Sequence, residues 1–323
     1  MKNLFKLFLY TCISPLTRKI LVQSLSTTTD MPLANSPLYM DTVKAAQKIW
    51  KDNYLFETDI HAVIRCGNDD GRQKPRFRLA YMPMRNRGEI LRLMLEESGC
   101  SYDFEIIGFK NWEDGVKATA PQGKCPILRN YDGKGNGIGQ EGAITRFLAR
   151  ELGFSGKNAS EEAEVDSIYC FWFSTMRNNG ISHDGEHYSV ASLRDADPTT
   201  ERPRYKEVFR LNNLSKAERS LMALGFFEEL LEKSGSNFLV SGGLTYVDLG
   251  LFYILFELAE EDNVPDFVEK FHFPKLGAFL ESMQNRPNIK NYIVSPGRMP
   301  RYERATDGTS LYTYIEGKGS PSR

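Results

Sequence analysis

The chain has 323 residues, enough for two domains and a sizeable core, and its hydrophobic and charged shares of 41% and 26% are those of an ordinary globular protein. A formal net charge of −1 without a basic block argues against nucleic acid as a partner, and no apolar run reaches transmembrane length, so no membrane span is expected. The cysteines (Cys12, Cys66, Cys100, Cys125 and Cys170) are odd in number and lack ligand spacing, which fits free thiols better than a disulfide framework.

Residues 1–29 carry Lys2, Lys6, Arg18 and Lys19, no Asp or Glu, and many Ser and Thr. That composition is expected of a mitochondrial targeting peptide. A secretory signal competes, since Leu7 to Ile13 is apolar after two lysines, but Pro15 and Arg18-Lys19 fit it poorly. The bland alternatives are a disordered extension, or a start at Met31 or Met40 that leaves a cytoplasmic protein. Residues 31–75 are read as extension and linker, helix-like only near Thr42 to Trp50, with a polar, Gly-rich stretch from Cys66 to Lys74.

The core is expected to begin at Arg76. Phe77, Leu79 and Tyr81 share one face of a strand, with Arg76 and Arg78 on the other. Ile90, Leu91, Met94 and Leu95 then form a helical stripe, with Glu89, Arg92, Glu96 and Glu97 outside it and Gly99 placed to stop the helix. A strand from Asp103 to Ile107, a broken helical segment from Trp112 to Ala120, and a strand after Pro126 follow. The Gly-rich run Gly133 to Gly139 lacks the Lys-Ser/Thr ending of a phosphate loop and reads as an enlarged hairpin turn. A helix from Gln140 to Leu152 closes the region 76–155. Its order, strand-helix-strand-helix-strand-strand-helix, is that of an α/β thioredoxin-like domain.

Residues 156–297 read as an all-α domain. Ala163, Val165, Ile168, Phe171, Trp172 and Met176 stripe one helix; Leu214, Ala217, Leu221, Leu224, Phe227 and Leu231 stripe another. Thr245-Tyr246-Val247-Asp248 is a capping-box pattern opening a helix, Leu249 to Phe256, that is apolar on every side and so belongs at the buried centre. Phe273-Pro274 opens a further helix that stops near Arg286-Pro287. Residues 182–204 are expected to be a polar loop and 298–323 a flexible tail. His183 and His187 have helical metal-ligand spacing, but Gly185 between them makes a helix there, and hence a metal site, a poor expectation.

The stretch Tyr81-Met82-Pro83-Met84-Arg85-Asn86-Arg87-Gly88-Glu89 puts a phenol at a strand end just before a helix N-terminus, within reach of a thiolate or another small anion. Trp112, Lys117, Lys124-Cys125-Pro126-Ile127-Leu128 and Gln140-Glu141 follow it in order. This succession resembles the glutathione-binding half of the glutathione S-transferases, with the sigma class (the glutathione-dependent prostaglandin D synthase type) nearest. Ser241 to Asp248 and Phe273 to Ile293 resemble that family's helical half, so the likeness covers about residues 77 to 297.

The resemblance implies glutathione as substrate, a small electrophile as second substrate, no metal, and a homodimer. It makes Tyr81 the catalytic tyrosine and Arg87 its support. Trp112, Lys117 and Lys124 would meet the glycine end of the tripeptide, and Cys125 before a cis Pro126 would pair with its cysteinyl backbone. Gln140 and the N–H of residue 141 would take the γ-glutamyl end. The chemistry needs such help because a thiol ionises near ~8.5, and a thiol is a poor nucleophile.

Two positions depart from the resembled pattern. Glu141 stands where a Ser or Thr hydroxyl is usual, and its charge would repel the ligand carboxylate. Ser174 stands where the resembled dimers supply an acid to the ligand's ammonium, so Glu141 is expected to take over that contact. Two other readings remain: a non-catalytic relative that keeps the fold, for which Glu141 is the best argument, and a thiol-disulfide oxidoreductase using Cys125 beside Lys124. As ordinary residues, Tyr81 would merely cap the sheet, Arg87 would lie on a helix surface, and the lysines would be solvated.

Overall fold

The computed structural model describes residues 37–40, 60–67, 75–177 and 187–301. One sheet has the order β1-β2-β4-β3-β5-β6, from β1 (Leu38–Met40), β2 (His61–Cys66), β3 (Phe77–Tyr81), β4 (Tyr102–Ile107), β5 (Ile127–Arg129) and β6 (Ile138–Gly139). β3 runs parallel to β4, while β5 and β6 are antiparallel to their neighbours. The block β4-β3-β5-β6 is the expected thioredoxin-like sheet. α1 (Glu89–Glu97) and α2 (Glu141–Leu152) pack against each other. Between β4 and β5 lie the short helical pieces Phe109–Asn111, Trp112–Val116 and Lys117–Thr119, kinked at Gly115.

β2 lies antiparallel along the outer edge of β4, and β1 pairs parallel to β2. This corrects the reading of residues 31–75 as an extension and linker, and of a core that begins at Arg76. His61–Cys66 buries Ala62, Ile64 and Cys66, alternate residues on one face, which is ordinary strand behaviour. Residues 1–29, the Thr42 to Trp50 stretch and most of the Gly-rich run before Arg76 lie outside the described residues.

The other face of the sheet is polar and stitched by charge. Asp103 accepts from Arg65 Nε at 2.7 Å and Arg78 Nη2 at 3.2 Å, and Arg78 also donates to the Tyr39 hydroxyl at 3.1 Å. Glu105 lies 2.8 Å from His61 Nε2 and accepts from Arg129 Nε at 2.7 Å. Burial alone would raise the Glu105 pKa, but the His61 and Arg129 hydrogen bonds outweigh it and bring the carboxyl down to about 2.

The helical half comprises α3 (Ala159–Thr175), α4 (Val190–Asp195), α5 (Lys216–Ser234), α6 (Tyr246–Leu258), α7 (Phe267–Phe271), α8 (Pro274–Gln284) and α9 (Pro287–Ile293). Asn158 caps α3 by accepting from the Ser160 and Glu161 N–H groups, and Ser215 with Glu218 forms a capping box on α5. The capping box expected at Thr245 and Asp248 is present. Asp248 is fully buried, which pushes its carboxyl up to about 6, against bonds from the Leu239 and Thr245 N–H groups and the Thr245 hydroxyl. α6 is buried almost throughout, as its all-round apolar sequence demands. Gly250 lets it approach the other elements: a Cβ there would sit 3.1 Å from the Trp172 ring and 3.2 Å from Ile90. Among the described residues no helix is long and apolar enough to cross a membrane.

Three further expectations change. Glu89 and Arg92 are buried rather than solvated, because α6 and α9 cover that side of α1. The region 182–204 contains helix α4, capped by the Ser189 side chain. The start of the tail is packed: Arg298 Nε binds Glu89 Oε1 at 2.8 Å, Met299 is fully buried, and Arg301 pairs with Glu260 at 3.2 Å. Residues 302–323 lie outside the described residues.

Glu105 has a lowered pKa when folded, so its stabilisation is fully present above the ordinary value of 4.5 and is lost as pH falls toward about 2. The difference amounts to about 3 kcal/mol. Urea unfolding at a series of pH values is expected to show wild type losing stability across this window, and Glu105→Gln, weaker at neutral pH, losing less.

Candidate active site

Tyr81 ends β3, where the chain turns through residues 82–88 into α1. Its ring lies directly on the helix start: a Cβ added to Gly88 would come within 2.6 Å of the Tyr81 Cδ1 atom. Glycine at 88 is therefore a packing requirement of the phenol. The Tyr81 hydroxyl accepts the Arg87 backbone N–H at 3.3 Å, and the residue is 3% exposed. That bond uses an oxygen lone pair and leaves the hydroxyl proton to be donated elsewhere.

Burial raises the Tyr81 pKa far above the usual phenol range, with Cys125 and Glu141 pushing the same way and Arg177 and Arg87 opposing. At neutral pH the group is thus a protonated donor rather than a base. Arg87, Cys125, Glu141 and Arg177 therefore converge on the Tyr81 hydroxyl, and Arg87 also acts on Cys125 and Glu141.

Cys125–Pro126 is a cis peptide bond, as expected. Cys125 is half-buried and Pro126 buried, at the start of β5. Burial holds the Cys125 thiol up at about 12 despite Arg87 and Lys124. That counts against the idea that Lys124 makes it a reactive thiolate. Lys124 is exposed beside it; Lys117 is exposed at the end of the broken helical segment, and Trp112 is buried within that segment.

Gln140 is exposed and stands just before α2 with φ 70° and ψ 117°, unusual for a residue with a side chain. Its carbonyl accepts from the Ala143 and Ile144 N–H groups. The first N–H groups of α2, those of Glu141 and Gly142, have no carbonyl a turn earlier to bind, so they are the natural anion donors at this end.

Glu141 differs from its expected role. Its side chain is 2% exposed, and its carboxylate faces Arg177: Nε to Oε1 at 3.2 Å and Nη2 to Oε2 at 3.3 Å. Arg177 Nη2 also donates to Asn86 Oδ1 at 2.7 Å. The carboxylate is therefore committed to a guanidinium, which corrects the expectation that it takes a ligand's ammonium. Burial raises the Glu141 pKa against the pull of Arg177, and Glu141 in turn raises that of Arg177. The sequence reading missed Arg177. It lies just past α3, outside the helical stripes, and nothing local marks it.

Other candidates are accounted for. His187 Nδ1 lies 2.7 Å from the Tyr205 hydroxyl, and His183 lies outside the described residues. Among the described residues no cluster of His, Cys, Asp and Glu is suited to a metal. Trp172 is fully buried in the core, and Phe171, half-buried, packs against that core and with Phe226 at 4.1 Å between ring centres.

The model for the glutathione S-transferase C-terminal domain matches residues 183–296. The chain is 32% identical over 217 residues to probable glutathione S-transferase 8 of Caenorhabditis elegans, a match covering 67% of this chain and 95% of the relative. The chain belongs to the glutathione S-transferase family. It is also 27% identical to glutathione S-transferase P of Bos taurus, with 70% of this chain and 96% of that one covered. Among solved structures, a monomeric glutathione S-transferase of the hookworm Necator americanus is similar at 29% identity and a TM-score of 0.52, covering 67% of this chain and 95% of that one. The protein is thus a transferase enzyme of the glutathione-dependent kind, with a thioredoxin-like domain followed by a helical one.

The Tyr81–Gly88 contact gives a test within this family. Gly88→Ala should displace the phenol ring and lower kcat/KM with a reporter electrophile by roughly 10-fold or more, because a displacement of about 1 Å in a candidate active site is costly. Unchanged kinetics would mean the ring position is immaterial.

Proposed function

We propose that the enzyme conjugates glutathione to small electrophiles, with Tyr81 as the catalytic residue. The observation that carries this reading is the Tyr81 hydroxyl, its oxygen fixed by the Arg87 N–H and its proton held by burial. Such a hydroxyl donates to a sulfur anion and stabilises it over the thiol. A shift of ~2 units in a thiol's ionisation corresponds to about 2.7 kcal/mol, the order of one charge-assisted hydrogen bond with a helix N-terminus.

In this reading glutathione lies along Tyr81, Trp112, Lys124, Cys125, Pro126 and Gln140. Its cysteinyl backbone pairs with Cys125, its glycine carboxylate with Lys124 and Lys117, and its glutamyl carboxylate with the Glu141 N–H at the start of α2. The thiolate then attacks the electrophile, forming the C–S bond as the leaving group departs or the acceptor takes up the electron pair and a proton. Conjugation needs only these elements, so it is preferred over isomerisation of a peroxide-type substrate. The finer likeness to the sigma class rests on motif order alone. A mitochondrial location remains a proposal resting on the composition of residues 1–29.

Calorimetry with glutathione should show binding to wild type and to Tyr81→Phe alike, while kcat/KM of Tyr81→Phe falls about 100-fold. Its residual rate should climb with pH toward the free thiol range near ~8.5. A wild type that does not bind glutathione, or a fully active Tyr81→Phe, would sink the proposal. Pairing into a homodimer belongs to the same reading. Sedimentation equilibrium is expected to give twice the mass of one chain, and a monomer would remove that part.

A further inference from the structure

The acid at position 141 stands at the helix start where the ligand's glutamyl carboxylate is placed, yet it does not face that place as a free charge. Its carboxylate and the Arg177 guanidinium are each 2% exposed and meet through two contacts, from opposite halves of the molecule. The second Arg177 anchor, Asn86, belongs to the turn between Tyr81 and α1 and has φ 45°. One guanidinium therefore touches both ends of the site: the start of α2 and the turn that carries the phenol. Arginine suits this because its planar fork can serve a carboxylate and an amide oxygen at once.

We propose that Arg177 is a positioning residue that cancels the charge of Glu141 and so keeps the N-terminus of α2 receptive to the α-carboxylate of the glutamyl portion of glutathione. The proposal rests on the glutathione reading above and extends it to a residue of the helical half. Without Arg177, a buried carboxylate would oppose an incoming one at the same helix start. Without Glu141, a buried cation would remain beside Tyr81 and the bound sulfur. The neutral pair leaves the local charge where wild type has it.

The test compares wild type, Arg177→Met, Glu141→Gln and the double variant in full-length protein. Readouts are KM for glutathione, kcat, and the ionisation of the bound thiol followed by thiolate absorbance against pH. Arg177→Met should raise KM roughly 30-fold, the usual scale for stranding one member of a buried charge pair, with a smaller change in kcat. It should also raise the bound thiol's pKa, and Glu141→Gln should lower it, each by on the order of one unit. The double variant should return both quantities to near wild type, within about threefold in KM. Replacing both members of a buried pair is commonly tolerated, so the double variant decides the matter even if Arg177→Met fails to fold. A double variant as impaired as Arg177→Met, or one that folds but binds glutathione poorly, would show that Arg177 is only a structural tie. Shifts of the same sign in the two single variants would also overturn the proposal. Wild type failing to bind glutathione would sink the broader reading instead.

Discussion

The placement of one phenol depends on the turn of residues 82–88 and the first residue of α1, and both are held by buried charges from beyond the sheet half. Arg85 is fully buried, pairs with Glu260 at 2.7 Å and lies 3.3 Å from Glu257. Asn86 accepts from Arg177, and Glu89 receives both Arg298 and the Tyr292 hydroxyl. The turn's backbone is fastened as well, since the Arg85 N–H donates to the Pro300 carbonyl at 2.8 Å. Buried pairs of this kind are poor sources of net stability, because desolvation consumes most of the attraction. Breaking one strands a charge, however, and costs about 3–5 kcal/mol. They therefore act chiefly to forbid alternative arrangements of the turn beside the Tyr81 hydroxyl.

The same seam joins the two halves through packing. Gly250 brings α6 onto Trp172 and Ile90, and α9 closes over α1, so α1 is covered on several sides. Tyr81, Cys125 and the start of α2 thus belong to the sheet half, while side chains of the helical half, Arg177 among them, hold their surroundings in place.

Much of this was readable from residues alone. Helical stripes and a capping box are local signals, and they located α1, α3, α5 and α6. Tyr81, Pro126 and Gln140 stood out because their neighbours follow in a fixed order. What escaped is long-range. Arg177 meets partners 36 and 91 positions away, and no periodicity marks it. Glu89 and Arg92 read as surface charges because a helical wheel cannot show that a second layer of helices covers the polar side. β2 was missed for another reason: its buried residues Ala62, Ile64 and Cys66 do alternate, but the run is short and sits among polar segments. The packed residues 298–301 look like tail because their partners, Glu89, Glu260 and Asp262, all lie elsewhere in the chain.

The added strands β1 and β2 change what the sheet presents at its margin. β4 is buried along its whole length, and without β2 its outer row of amides and carbonyls would lie open as a template for any passing strand. With them, the outermost strand on this side among the described residues is the three-residue β1, whose Tyr39 ring carries the Arg78 guanidinium 5.2 Å from its centre. A short border strand with a cation laid over it offers little for another chain to extend. Residues that read as an extension and linker before the core thus hem the sheet, guarding this margin against strand pairing with another chain.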